Sequence, residues 1–416
     1  MFYLSVQKSY SMKRSPVILL LILPLAANAQ QFDVAKIREH IKILASDSMQ
    51  GRGTGKEGEK MAAAYIQKQF KKLKLQPKGD NNTYLQAFTF KSGAHGEGEG
   101  GTANNIAGYL DNKAATTIIM GAHYDHLGTG GQGSSLDANP HEKIHNGADD
   151  NASGVAGVIE LARFLSTNKV KEKNNFLFLC FSGEELGLYG SKYFTEHPTL
   201  DLANVNYMIN MDMIGRLDEK TKTLLVYGTG TSPVWEPLVK NLENENVKIK
   251  TDSSGIGPSD HTSFYLKNIP VLHFFTGSHS DYHKPSDDWE KINLKGEADV
   301  LSFIAQIITS LDPQPKLAFL TTKTKPVASR SAFKVTMGIM PSYSAEGEGL
   351  KVDGVTEGRP GQEAGIQTGD VIIQMGDIVI KDIQNYMEAL GKFEKGQTIP
   401  VKLKRGEEVL TVSVTF

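Results

Sequence analysis

The chain has 416 residues, 39% apolar and 22% charged, enough to bury a sizeable core and to build two or three domains. Lys and Arg number 45 against 47 Asp and Glu, so the formal charge is -2 and the basic excess that a nucleic-acid binder needs is missing. The one cysteine, Cys180, lies in the apolar run FLFLCF and reads as a small buried hydrophobe, which excludes a disulfide framework and a thiolate metal site within one chain. Any metal must be held by His, Asp and Glu.

The N-terminus carries Lys13 and Arg14, an apolar run from Val17 to Leu25, and Ala27-Asn28-Ala29, the pattern of a secretory signal peptide over residues 1–29, cut before Gln30. The run is shorter than the roughly 20 residues of a bilayer span, and no later segment is long enough either. The chain is therefore expected to be exported, to a periplasm or out of the cell, with no membrane span after cleavage. FDVAKIREHIKILAS and EGEKMAAAYIQKQFKKLK follow with helical periodicity, parted by the glycine-punctuated DSMQGRGTGK. NNIAGYL reads as a strand. The preceding SGAHGEGEGGT reads as a surface loop, because no Walker-type Gly-Lys and helix follow it.

From residue 116 strands and helices alternate: TTIIMGA, a helix after Asn151, NNFLFLCF, a helix after Glu185, NYMINM, TLLVYG, a helix near SPVWEPLVKNLE, PVLHFF and a closing helix KGEADVLSFIAQIITSL. Near-continuous apolar strands between helices predict an α/β domain, a mostly parallel mixed sheet with helices on both faces, over residues 30–311. Residues 312–330, rich in Pro, Lys and Thr, read as a linker. Residues 331–416 read as a small β-rich unit with one clear helix, IQNYMEALGKF.

Ligands in open α/β sheets bind outside the carboxyl ends of the strands. Here those ends carry His123 and Asp125 in IIMGAHYDH, Glu184 and Glu185 in FLFLCFSGEE, Asp212 in MINMDM, and His279, Asp281, Tyr282 and His283 after VLHFF. Asp149 and Asp150 enter from the helix start HNGADDNASG. Each has a plainer reading: Asp149, Asp150 or Asn151 as an N-cap, Ser182 to Glu185 as a capping box, His123 as a satisfied strand-end histidine, Asp212 as a turn former. Two adjacent acids exceed what a cap requires, and a divalent cation would neutralise carboxylates that otherwise repel. Read together, the residues form one metal cluster. Spacing alone does not rank His283 above His279.

GAHYDHLG, NGADDNASGVA, SGEELGLYGS, NMDMIGR, SDHTSFY and DYHKPSDD, in this order, resemble the secreted co-catalytic di-zinc aminopeptidases, bacterial leucyl aminopeptidases among them. Glutamate carboxypeptidase and glutaminyl cyclase are relatives of that family. The resemblance spans about residues 33–311. It implies a zinc-peptidase fold and two zinc ions per chain, one bound by His123 and Asp212, the other by Glu185 and His283, with Asp150 bridging them. The bridging acid of the family stands immediately before the residue preceding A/G-S-G, which selects Asp150 over Asp149. The resemblance further makes Asp125 the acid that orients His123, Glu184 the general base beside a metal-bridging hydroxide, and Tyr282 a hydroxyl for the oxyanion. His126 reads as a neighbour, His273 as core or outer support, and Asp260 and His261 receive no catalytic role.

VTMGIM and VDGVTEGRPGQEAGIQTGDVIIQMGD look like a PDZ domain, in which Gly338-Ile339-Met340 would form the carboxylate-binding loop. Such a unit either binds a C-terminal peptide by strand addition or serves only for packing. The expected function is hydrolysis of N-terminal residues from peptide substrates by an exported metallo-exopeptidase. A glutaminyl cyclase, which uses one zinc, or a carboxypeptidase on the same fold are the enzymatic alternatives. A peptide-binding PDZ protein with an inactive peptidase domain is the non-enzymatic one.

Overall fold

The computed structural model describes residues 32–90, 100–130, 135–137, 139–322, 335–341, 349–355, 358–381 and 383–416. The expected signal peptide, residues 1–29, and most of the Gly/Glu-rich loop lie outside them. In chain order the larger unit runs α1 (Val34–Leu44), α2 (Glu57–Lys72), β1 (Gln76–Pro77), β2 (Leu85–Phe90), β3 (Gly101–Leu110), β4 (Thr116–His123), α3 (Gly154–Thr167), β5 (Asn174–Phe181) and α4 (Tyr189–Glu196). It continues with β6 (Val205–Met211), β7 (Thr223–Tyr227), α5 (Trp235–Leu242), β8 (Lys248–Thr251), α6 (His261–Tyr265), β9 (Val271–Phe275) and α7 (Leu294–Leu311).

These strands form one mixed sheet in the order β1-β3-β5-β4-β6-β9-β7-β8, with β2 also paired to β3. The centre, β5-β4-β6-β9, is parallel, while β1, β2 and β3 on one side and the β7–β9 pairing on the other are antiparallel. The continuous apolar runs arise because both faces are covered. Along β5, Phe176, Phe178 and Cys180 enter the core under α1, α3 and α7, and Leu177, Leu179 and Phe181 enter the opposite core with Phe194 of α4 and Phe264 of α6. Cys180 is fully buried, as its place in an apolar run implied.

From β4 the chain crosses to β5 on one side, and from β5 it passes to β6 on the other side of β4. The carboxyl ends of β4 and β6 therefore flank the point where the winding reverses, which is where an open sheet leaves a crevice for a ligand.

Of the stretch read as a linker, the described part is fastened to this unit. Leu317 is buried, its N–H donates to Asn206 Oδ1 at 2.8 Å, and the N–H of Leu320 donates to the Thr231 carbonyl at 2.8 Å.

Residues 335–416 make a separate antiparallel sheet, β10 (Ile339–Pro341), β11 (Leu350–Val355), β12 (Val371–Met375), β13 (Ile378–Val379), β14 (Thr398–Arg405) and β15 (Glu408–Thr415), with α8 (Pro360–Glu363) and α9 (Ile383–Leu390). Its core is its own, built on Met337, Val352, Ile372, Met375, Val401, Leu403 and Val414. Gly338 has φ +69°, and a Cβ there would meet Arg359 Cβ at 2.2 Å, so the turn into β10 requires glycine.

Candidate metal centre and active site

Five segments converge at the β4/β6 end of the sheet. His123 is the last residue of β4, Asp212 follows β6 directly, Glu184 and Glu185 lie just beyond β5, His283 lies beyond β9, and Asp150 lies in the turn Ala148–Ser153 that leads into α3. The Asp150–Asn151 peptide is cis. Gly147, with φ +55°, opens that turn, and a Cβ on it would meet Asp150 O at 2.2 Å and the His126 ring at 2.5 Å. Neither aspartate caps α3. Asn151 Oδ1 takes the Gly154 N–H at 2.9 Å, and Asp150 is left to face histidines. The capping-box reading of Ser182 and Glu185 also lapses, since α4 starts only at Tyr189, Ser182 donates to Glu59, and Glu185 points to histidines.

Asp150 is central. Its Oδ1 stands 3.2 Å from His123 Nε2, and its Oδ2 stands 3.2 Å from His283 Nε2. His123 Nε2 is also 3.4 Å from Asp212 Oδ1, and His283 Nε2 is 3.2 Å from Glu185 Oε2. Two donors of one tetrahedral zinc stand about 3.3–3.5 Å apart, given Zn–N of about 2.0–2.1 Å and Zn–O of about 2.0–2.2 Å. Asp150 Oδ2 has no hydrogen-bond partner although it is buried, and the all-nitrogen-and-oxygen donor set is one that zinc accepts. The residues fit such ions. His126 also offers Nδ1 to this cluster, 2.9 Å from Glu185 Oε1 and 3.9 Å from Asp150 Oδ2. His279 does not join it, because its Nε2 is taken 3.2 Å away by Asp149 Oδ2.

Electrostatics follow from this packing. Burial alone would push His123 down, but Asp212, Asp125 and Asp150 outweigh it and hold the ring well above the usual histidine range. Burial is likewise overcome at His283 by Glu185 and Asp150. Asp150 and Glu185, whose burial would raise them, are instead held well below the carboxylate range by the imidazoles around them.

Glu184 and Tyr282 line the cleft beside these groups, a space of about 480 Å³ counted to its open mouth, and Met213, Tyr227 and Phe275 form an apolar wall. The Tyr282 ring stacks on His283 with centroids 3.9 Å apart. Asp125 is buried between the two sides. Its main-chain oxygen is 3.2 Å from His123 Nδ1 and its carboxylate 3.7 Å, so the main chain is the nearer acceptor. The carboxylate takes the Thr54 hydroxyl at 2.8 Å and the Glu184 N–H at 3.2 Å.

Residues 105–308 match the profile of peptidase family M28, and residues 332–416 match that of a PDZ domain. The larger domain belongs to peptidase family M28. Leupeptin-inactivating enzyme 1 of Streptomyces exfoliatus is 30% identical over 263 residues, 62% of this chain and 52% of that protein. The chain spans about half the length of the curated relatives it matches. A zinc aminopeptidase of Bacillus subtilis shares the fold at a TM-score of 0.52 and 19% identity, over 71% of this chain and 99% of the other. A glutaminyl cyclase of Bacteroides thetaiotaomicron superposes equally well, at a TM-score of 0.54 and 17% identity over 67% and 98%, so the fold alone does not separate hydrolysis from cyclisation.

Around the M28 site stand supports that sequence reasoning passed over. Arg52, fully buried, donates to the carbonyls of Tyr124 (2.8 Å), Leu44 (2.6 Å), Asn146 (2.7 Å) and Gly147 (2.8 Å), tying the His123 and Asp150 segments to the N-terminal region. Burial lowers its pKa to about 10, against the pull of Asp150 and Asp287. Asp287 Oδ2 accepts the N–H groups of Asp149 (3.0 Å) and Asp150 (3.1 Å), and Ser259 donates to Asp212 Oδ2 at 2.7 Å. Asp287 left a sequence trace as one of the acids in DYHKPSDD, and Ser259 as the first residue of SDHTSFY.

Proposed function

We propose that the chain is an exported zinc-dependent aminopeptidase that removes N-terminal residues from peptides. The observation that carries this reading is Asp150 between two nitrogen-and-carboxylate sets, His123 with Asp212 and His283 with Glu185. In the proposal His123 with Asp212 would hold one zinc, His283 with Glu185 would hold a second, and Asp150 would be shared between them. Two such ions would supply an acidified water near neutral pH and a polarising charge for a carbonyl oxygen. Glu184, on the cleft wall, takes the water's proton and returns it to the leaving amine. Asp125 supports this by holding the Glu184 main chain and the Thr54 hydroxyl, so that base and ligand share one anchor. Tyr282 would donate its hydroxyl to the oxyanion. The apolar wall of Met213, Tyr227 and Phe275 suits an apolar N-terminal side chain.

Export rests on the leader at residues 1–29; among the described residues no helix is long and apolar enough to cross a membrane. The PDZ domain is proposed to take a C-terminal peptide along the edge of its sheet.

A panel of aminoacyl chromogenic amides tests the activity. Apolar amides should be turned over, chelator should abolish turnover, and two equivalents of zinc should restore it. Recovery at one equivalent, with N-terminal glutamine cyclised and no amide cleaved, would replace this reading by a glutaminyl cyclase.

A further inference from the structure

His126 touches the acid cluster without belonging to the proposed ligand set. The two oxygens of Glu185 face different imidazoles: Oε2 is 3.2 Å from His283 Nε2, and Oε1 is 2.9 Å from His126 Nδ1. The first separation suits two donors of one tetrahedral zinc, about 3.3–3.5 Å apart. The second is shorter than that and has the length of an N–H···O hydrogen bond. His126 Nδ1 lies 3.9 Å from Asp150 Oδ2, beyond hydrogen-bond reach, so its partner in the cluster is Glu185.

The ring cannot easily shift. It is fully buried, the main-chain N–H of His126 donates to the Arg52 carbonyl at 3.1 Å, and the Cα of Gly147 packs so close that a Cβ there would reach the ring at 2.5 Å. Its Nε2 has no hydrogen-bond partner, which leaves Nδ1 as the atom through which the ring acts.

We propose that His126 is a positioning residue. It donates Nδ1–H to Glu185 Oε1 and thereby leaves Glu185 a single oxygen, Oε2, for a metal ion. The inference rests on the two-zinc reading above. With Oε1 occupied, Glu185 binds through one atom, and a coordination position on the second ion stays open for water or substrate. Without His126 both oxygens can turn to the ion and close that position.

The test uses the full chain, with Zn²⁺ titrated calorimetrically and Co²⁺ followed by its visible absorption. In His126→Ala the second ion should bind about 10- to 100-fold more weakly. The cobalt bands should also lose intensity as the site gains an oxygen donor, while the first ion binds as before and reports an intact fold. In His126→Asn an amide N–H stands near the Nδ1 position, and the wild-type cobalt spectrum should return at least in part. An Ala variant with wild-type affinity and spectrum overturns the inference and leaves the two-zinc reading standing. So does an Asn variant that matches Ala while both spectra show a lost nitrogen donor, since His126 would then be a ligand. A wild-type chain that takes up no second ion sinks both.

Discussion

Asp149 and Asp150 are consecutive in the chain and serve different partners. Asp149 accepts from Gly215 N–H at 2.7 Å and Ser153 Oγ at 3.0 Å and pairs with His279 at 3.2 Å, whereas Asp150 stands between His123 and His283. One acid builds the loop; the other faces the cleft.

That division predicts opposite outcomes. Asp150→Asn should abolish binding of both zinc ions with little change in the melting temperature of the metal-free protein. Asp149→Asn should destabilise the fold by about 1–3 kcal/mol, because it disturbs buried hydrogen bonds, and still bind two ions. Calorimetric zinc titration beside thermal melts of the apo proteins measures both.

Glu184→Gln should retain two zinc ions and lower kcat on apolar aminoacyl amides by about 100- to 10,000-fold, the usual worth of a positioned general base. KM should stay near the wild-type value. A variant with most of its kcat intact would remove Glu184 from the proposed role.

Asp287 grips the main chain of Asp149 and Asp150 through one oxygen. Asp287→Ala should weaken zinc binding by about 10- to 100-fold, and Asp287→Asn, which keeps an acceptor oxygen, should weaken it less. Equal affinities in all three proteins would show that the turn holds Asp150 unaided.

Glu59 is buried beside Ser182, and burial pushes its pKa up to about 8, with Asp125 adding to the rise. The native state therefore keeps a proton that the unfolded chain releases near the ordinary glutamate value of about 4.3. Between that pH and about 8 the folded form binds more protons, so this group's contribution to stability falls as pH rises. Glu59→Gln should flatten that fall. Melting temperatures at pH 6 and pH 9 should differ less in the variant than in the wild type, and an unchanged difference would contradict the assignment.

Much of this site was legible because strand ends announce themselves. Apolar runs such as FLFLCF stop where His, Asp or Glu begins, and all five expected ligands meet within one cluster in the structure. The edges of the sheet were harder to read. In β8, Lys248 and Lys250 are exposed, so the stretch carries none of the buried pattern of a central strand. The alternation in β2, with Gln86, Phe88 and Phe90 buried, is a period-two signal that the reading passed over. Arg52 and Asp287 act on backbone carbonyls and backbone amides, and Thr54 donates its hydroxyl to the Asp125 carboxylate; such contacts leave no periodicity. The rank of His283 over His279 came from family resemblance, and their separate partners appear only in three dimensions.

The four carbonyls held by Arg52 span Leu44 to Gly147, while the stretch that matches the peptidase family begins at residue 105. A recombinant fragment cut at that boundary would discard the guanidinium and take its donors away from the oxygens of Tyr124, Asn146 and Gly147. Homology limits are thus a poor guide to where this chain can be trimmed; the first two helices travel with the domain that carries the candidate site.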